Sequence, residues 1–91
     1  PVAVLAVDRG WRFRYLNPEA ERHLGRRRDA LLGRDLWAEF PDLLGTPFER
    51  GYREAAATGR PGVFEAPYPP SDRWYEVRAC PSADGLSVYF H

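Results

Sequence analysis

Around Asn17 the chain changes periodicity, and that change limits the folds open to it. Upstream, Trp11, Phe13 and Tyr15 alternate with Arg12 and Arg14, the period-two pattern of a strand with one buried face, until Leu16 breaks it. Downstream, Ala20 and Leu24 stand four apart, as on one face of a helix. The junction residues suit the change. Asn17 can accept from an orphaned N–H of the first turn, Pro18 has no N–H to lose and a pre-set φ, and Gly25 supplies a left-handed stop. A strand therefore runs straight into a two-turn helix over residues 18 to 24.

Before this junction, Val2 to Val7 form a nearly continuous apolar strand, and Asp8-Arg9-Gly10 turns it into the second strand at 11 to 16, so the two make a hairpin. After it the chain is helical in short pieces. Residues 18 to 24 end at Gly25, Arg28 to Leu32 end at Gly33, and Asp35 caps Leu36 to Phe40, which Pro41 terminates. A longer helix starts at Thr46-Pro47-Phe48-Glu49, a capping box with proline at the first helical position, and runs to Thr58 before Gly59. Phe48, Tyr52, Ala55 and Ala56 form its apolar face. Gly51 inside it costs about 1 kcal/mol relative to alanine; it is either tolerated drift or the mark of a strand or ligand that comes close.

Three strands close the sequence. Gly62 to Ala66 is followed by a proline-rich loop, Pro67-Tyr68-Pro69-Pro70; Trp74 to Pro81 turns through Ser82-Ala83-Asp84-Gly85 into Leu86 to His91. Tyr75, Val77 and Ala79, and then Leu86, Val88 and Phe90, are the apolar sets predicted to face the helices. Two strands at the start and three at the end join in one antiparallel sheet only if the helical stretch crosses one of its faces. The expected class is α+β, with a compartment between sheet and helices.

Composition narrows the function. At 91 residues there is room for one domain and one modest core. Thirteen basic residues, all arginine, balance thirteen acidic ones, so there is no basic excess to drive nucleic-acid binding. One cysteine, Cys80, excludes an internal disulfide and any multi-cysteine metal site and permits a reducing, cytoplasmic setting. No apolar run reaches the roughly 18 to 20 residues that span a bilayer, so no membrane partner is expected. The start at Pro1 and the finish inside the apolar alternation Leu86 to His91 lead us to expect a domain excised from a longer multidomain protein.

Four stretches in this order, Trp11-Arg-Phe-Arg-Tyr-Leu-Asn-Pro-Glu-Ala-Glu-Arg-His-Leu-Gly25, Leu31-Leu-Gly-Arg-Asp-Leu-Trp37, Arg73-Trp-Tyr-Glu-Val-Arg-Ala-Cys-Pro81 and Gly85-Leu-Ser-Val-Tyr-Phe90, resemble the PAS domain family. Each alone is degenerate; together, at this spacing, they are specific and cover nearly the whole chain. The resemblance is strongest to PAS sensors of bacterial signal transduction: two-component histidine kinases, diguanylate cyclases and PP2C-type phosphatases. It implies a five-stranded sheet in the order 2-1-5-4-3 and a sensor whose effector, a kinase, cyclase or phosphatase, lies further along the same polypeptide.

Within that family the residues argue against the known cofactors. The flavin-binding members carry a cysteine on a helix, and the helices here contain none; haem-binding members present a histidine from the long helix, and residues 47 to 58 contain none. His23 is read as a surface or helix-end residue, favourably placed at a helix C-terminus, and neither it nor His91 as a haem ligand. The sequence leaves open whether Arg53 or Arg78 turns inward to hold an acidic ligand. What remains is a compartment walled by Trp37, Phe40, Phe48, Tyr52, Tyr75, Val77, Val88 and Phe90, which either simply fill the core or surround a small apolar ligand held by the Tyr52 or Tyr75 hydroxyl. Asn17 has a place at the rim of that compartment as its alternative role.

No catalytic constellation is present: Ser71, Ser82 and Ser87 have no evident histidine partner, and there is no glycine-rich phosphate loop. A non-enzymatic module is expected, of one of two kinds. One senses a small ligand. The other docks or dimerises without a ligand, through an outer sheet face where Trp74 and Tyr89 stand beside Glu76 and Arg78.

Overall fold

The structure, a computed structural model, describes residues 1–91. Its first turn is made by Asp8, whose carboxylate accepts from the N–H groups of Gly10 and Arg12 at 2.8 and 2.9 Å and folds β1 (Ala3–Asp8) back on β2 (Phe13–Leu16). The second strand is shorter than its alternation predicts. Trp11 has left it for a turn with a positive φ of 65°. Tyr15 does not share the buried face with Phe13. The pairing steps from Tyr15 opposite Ala6 to Phe13 opposite Val7, so Arg14 is an extra residue in a bulge that turns Phe13 and Leu16 inward and leaves Tyr15 46% exposed.

The helical crossing follows as α1 (Pro18–Leu24), α2 (Arg28–Leu31), α3 (Leu36–Glu39), a 3₁₀ turn at Pro41–Leu43 and α4 (Pro47–Thr58). Asn17 caps α1 by accepting from the Ala20 N–H at 2.9 Å, and it clamps β1 as well: its side chain accepts from the Val4 N–H and donates to the Val2 carbonyl, both at 3.0 Å. Asp35 caps α3 through the Ala38 N–H, and Thr46 caps α4 through the Phe48 N–H. The capping box is modified, because Glu49 reaches past Thr46 to the Gly45 N–H at 2.8 Å. Gly25 and Gly59 close α1 and α4 in the left-handed conformation.

Strands β3 (Gly62–Tyr68), β4 (Arg73–Ser82) and β5 (Gly85–Phe90) complete an antiparallel sheet in the order β2-β1-β5-β4-β3. The third strand runs two residues beyond its predicted end and takes in Pro67, paired with Trp74, and Tyr68, paired with Arg73. It is an edge strand, where a proline's missing N–H costs no ladder bond. The other edge, β2, is covered: the Phe13 N–H donates to the Arg34 carbonyl and its carbonyl accepts from the Gly33 N–H. No buried residue is charged, and the core draws on every strand and on all the helical pieces.

Gly51 marks a close approach. A Cβ there would lie 2.4 Å from the Phe64 ring, which packs onto the helix between Phe48 and Tyr52. No helix is long and apolar enough to cross a membrane.

Candidate functional site

Between sheet and helices lies an apolar cavity of about 30 Å³. The sheet supplies Leu5, Tyr68, Tyr75 and Phe90; the helical side supplies His23 and Leu24 from α1, Leu36 and Phe40 from either end of α3, Leu43 from the 3₁₀ turn, and Phe48 and Tyr52 from α4. As it stands it has room for roughly two waters. Its wall is a belt of rings in edge-on contact: Phe48 meets Tyr52 and Tyr68, Tyr68 meets Tyr75, and Tyr75 meets Phe90, with centroids 5.6 to 6.3 Å apart.

Of the predicted wall residues, Phe40, Phe48, Tyr52, Tyr75 and Phe90 come together around this cavity. Trp37, Val77 and Val88 are buried but stand away from it. Trp37 stacks between Trp11 and Tyr52 with the Arg53 guanidinium 4.7 Å from its ring, and its indole N–H has no partner. Arg53 is therefore held outside the cavity by Trp11, Trp37 and Glu49, and Arg78 lies on the exposed face of β4. Neither brings a charge to the compartment. Asn17 does not line it and serves as cap and clamp.

His23 departs most from its predicted place. It is not a surface residue: its side chain is 19% exposed, its ring stands edge-on to Tyr75 and Phe90, and its Nδ1 lies 2.8 Å from the Tyr75 hydroxyl. Helix α1 lies against β1 and the sheet beyond it, so His23 on its inward side meets sheet aromatics before water. Nε2 lies 3.5 Å from the Glu19 carboxylate, which also pairs with Arg22. Burial, and then the positive Arg73 and Arg22, hold the imidazole pKa below its ordinary value. Burial pushes the Tyr52 phenol well above its usual range, with the nearby Tyr68 adding to the effect; Tyr68 is raised by burial, then by Tyr75 and Asp42.

Two wall residues were within reach of the sequence. His23 follows Ala20 by three positions, so helical spacing already puts it on the inward face. Tyr68 continues the alternation of Phe64 and Ala66, a signal masked by the prolines around it.

The fold agrees with what the chain is similar to. The sequence model of the PAS fold matches residues 1–91, the whole chain. The chain belongs to the PAS family. Among solved structures, the PAS domain of the histidine kinase ThkA superposes with a TM-score of 0.81 at 20% identity, covering 98% of this PAS domain and 96% of that chain. The photoactive yellow protein domain of the sensor histidine kinase Ppr from Rhodospirillum centenum gives 0.81 at 19% identity, over 100% of this domain and 84% of that chain. A sensory box sensor histidine kinase from Vibrio cholerae gives 0.82 at 14%, over 100% and 80%. At these identities the likeness is one of fold. Comparison with curated protein sequences gives no match.

On the outer face of the PAS sheet, Trp74 is 69% and Tyr89 39% exposed. Val4, Tyr89, Arg78 and Val63 form one row across β1, β5, β4 and β3, and His91 pairs with Glu76 beside it at 2.9 Å.

Proposed function

We propose that this PAS domain is a non-catalytic sensory module of a bacterial, cytoplasmic signalling protein, which binds a small, mostly apolar ligand between sheet and helices and relays its occupancy to an effector in the same polypeptide. The observation that carries this reading is the cavity itself: apolar, walled by aromatic rings, with the hydrogen-bonded His23–Tyr75 pair in its wall; at about 30 Å³ it must widen to admit a ligand larger than water. The histidine kinases among the fold relatives support a kinase as the effector, with a cyclase or phosphatase as the other choices. No flavin, haem or metal enters this reading. Native mass spectrometry of the purified domain, with a thermal-shift screen of small neutral compounds, is the test. A ligand at about a hundredfold its Kd stabilises by about 2.7 kcal/mol, a shift of several degrees. No co-purified compound and no stabilising one would overturn the ligand.

A second reading, a homodimer or docking surface on the outer sheet face, is favoured by the exposure of Trp74 at 69% and Val63 at 68% on that face. Trp74→Glu is expected to leave the far-UV spectrum unchanged and to abolish self-association in sedimentation velocity. A variant that still dimerises removes this face as the interface. The two readings combine readily, because rearrangement of a dimer is a direct way for cavity occupancy to reach an effector.

A further inference from the structure

We propose that His23 sets the hydrogen-bond polarity of the cavity through the Tyr75 hydroxyl, so that with His23 neutral the cavity selects small, uncharged, apolar molecules that donate a hydrogen bond. The inference rests on the ligand reading above and names the class of ligand and its control.

The geometry supplies the steps. His23 Nδ1 and the Tyr75 hydroxyl are 2.8 Å apart, and both residues line the cavity. The imidazole is wedged edge-on against Tyr75 and Phe90, at interplanar angles of 86° and 65°, so its orientation is set by packing. Its Nε2 lies 3.5 Å from the Glu19 carboxylate, and a carboxylate on that side favours the proton on Nε2. Nδ1 is then the acceptor and the Tyr75 O–H donates to it, which leaves the Tyr75 oxygen with lone pairs free to accept from a ligand that reaches it. A ligand that donates completes the set; one that only accepts leaves them unpaired.

Protonation of His23 reverses this. With hydrogens on both ring nitrogens, Nδ1–H donates to Tyr75, and the phenolic O–H must turn away from Nδ1 and is free to donate elsewhere. The oxygen that accepted from a ligand now offers it a proton. The charged and titratable groups around the imidazole are Glu19 and Arg22 from α1, Arg73 and Tyr75 from β4 and Tyr68 beyond Tyr75 on β3; β5 presents only the Phe90 ring. The two arginines and burial disfavour the imidazolium, so the reversal falls below the ordinary titration of histidine. No permanently charged side chain lines the cavity, so a ligand's own charge would go uncompensated there.

The test uses pyrrole, a ring that donates through N–H and has no acceptor lone pair, against furan, its near-isostere with no donor. A cavity of about 30 Å³ does not hold either ring, since benzene occupies one of about 150 Å³. Binding is therefore measured on Leu43→Ala, with Phe48→Leu as the second enlarged variant, by NMR shift perturbation. The ¹⁵N spectrum of the histidine-labelled native chain first locates the His23 tautomer and titration point. The expected result is the Nε2–H tautomer, and pyrrole binding about tenfold tighter than furan at about pH 7.5. That preference should vanish about one pH unit below the titration point, and His23→Gln should abolish its pH dependence. An Nδ1–H tautomer, or equal binding of the two rings at both pH values, overturns the polarity switch and leaves the ligand reading standing. Failure of either ring to bind either enlarged variant overturns both.

Discussion

The two faces of this sheet are made by the same five strands, yet their aromatic residues meet opposite surroundings. On the inner face Tyr75, Phe90 and Tyr68 are at most 8% exposed, and Tyr75 meets each of the other two edge to face beside a cavity. On the outer face Trp74 and Tyr89, each next in sequence to an inner residue, stand exposed among Glu76, Arg78 and Val63. Apolarity alone does not separate the faces, since each carries large rings. What separates them is the helical crossing, which covers one and leaves the other for whatever lies outside the domain.

The largest test of that contrast compares neighbours. Val88 is fully buried and Tyr89 is 39% exposed. Val88→Asp places an unpaired carboxylate in the core, at a cost of at least about 4 kcal/mol, and is expected to unfold the domain; Tyr89→Asp is expected to cost no more than about 0.5 kcal/mol in urea titrations. Similar losses in circular dichroism melts would mean that the outer face is covered too.

Gly51 sharpens the inner side. Alanine there gains about 1 kcal/mol of helix propensity but drives its methyl into the Phe64 ring, wedged between Phe48 and Tyr52. Overpacking costs about 1 to 3 kcal/mol, so Gly51→Ala is expected to lose about 1 kcal/mol net. In a Phe64→Ala background the same change should stabilise, and equal effects in the two backgrounds would show that the ring is free to move aside.

The smallest effect is electrostatic. The folded-state pKa of His23 lies below its unfolded value, so between the two the unfolded chain binds more protons, and stability falls as pH drops from about 6.5 through the folded pKa. Denaturant titrations should show this loss in the native chain and a flatter profile in His23→Gln, with the exposed His91 common to both. Alkali acts on Tyr52 with the opposite sign. Its phenol is raised in the fold, so stability declines as pH climbs above about 10, where only the unfolded chain gives up the proton.

Much of this architecture was legible in local chemistry. The helix stops at Gly25 and Gly59, the caps at Asn17, Asp35 and Thr46, and the inward sets of β4 and β5 all follow from neighbours a few positions apart. The sequence reading failed where a distant partner overrode the pattern. Trp11 left the alternation of β2 for the turn at Asp8, with a positive φ, and Tyr15 left its buried face because a bulge at Arg14 re-aims the strand against β1. Pro67 and Tyr68 joined β3 because it is an edge. The candidate cavity divided in the same way: its aromatic composition was visible, while the separation of Trp37, Val77 and Val88 from the rest depends on how α3 and α4 sit on the sheet.

By itself, then, the sequence determined which segments are strands and helices, where each helix starts and stops, and that the helical run must cross one face of a single sheet. Those outcomes depend on hydrogen bonds and periodicities that span at most a few turns. Only the tertiary structure decided that Asn17 ties β1 to the start of α1, that Phe64 occupies the space Gly51 leaves, and that His23, 52 positions before Tyr75, bonds to its hydroxyl in the cavity wall. The reason is physical: a side chain's protonation and hydrogen-bond role are set by the groups that surround it after packing, and no local pattern carries that information.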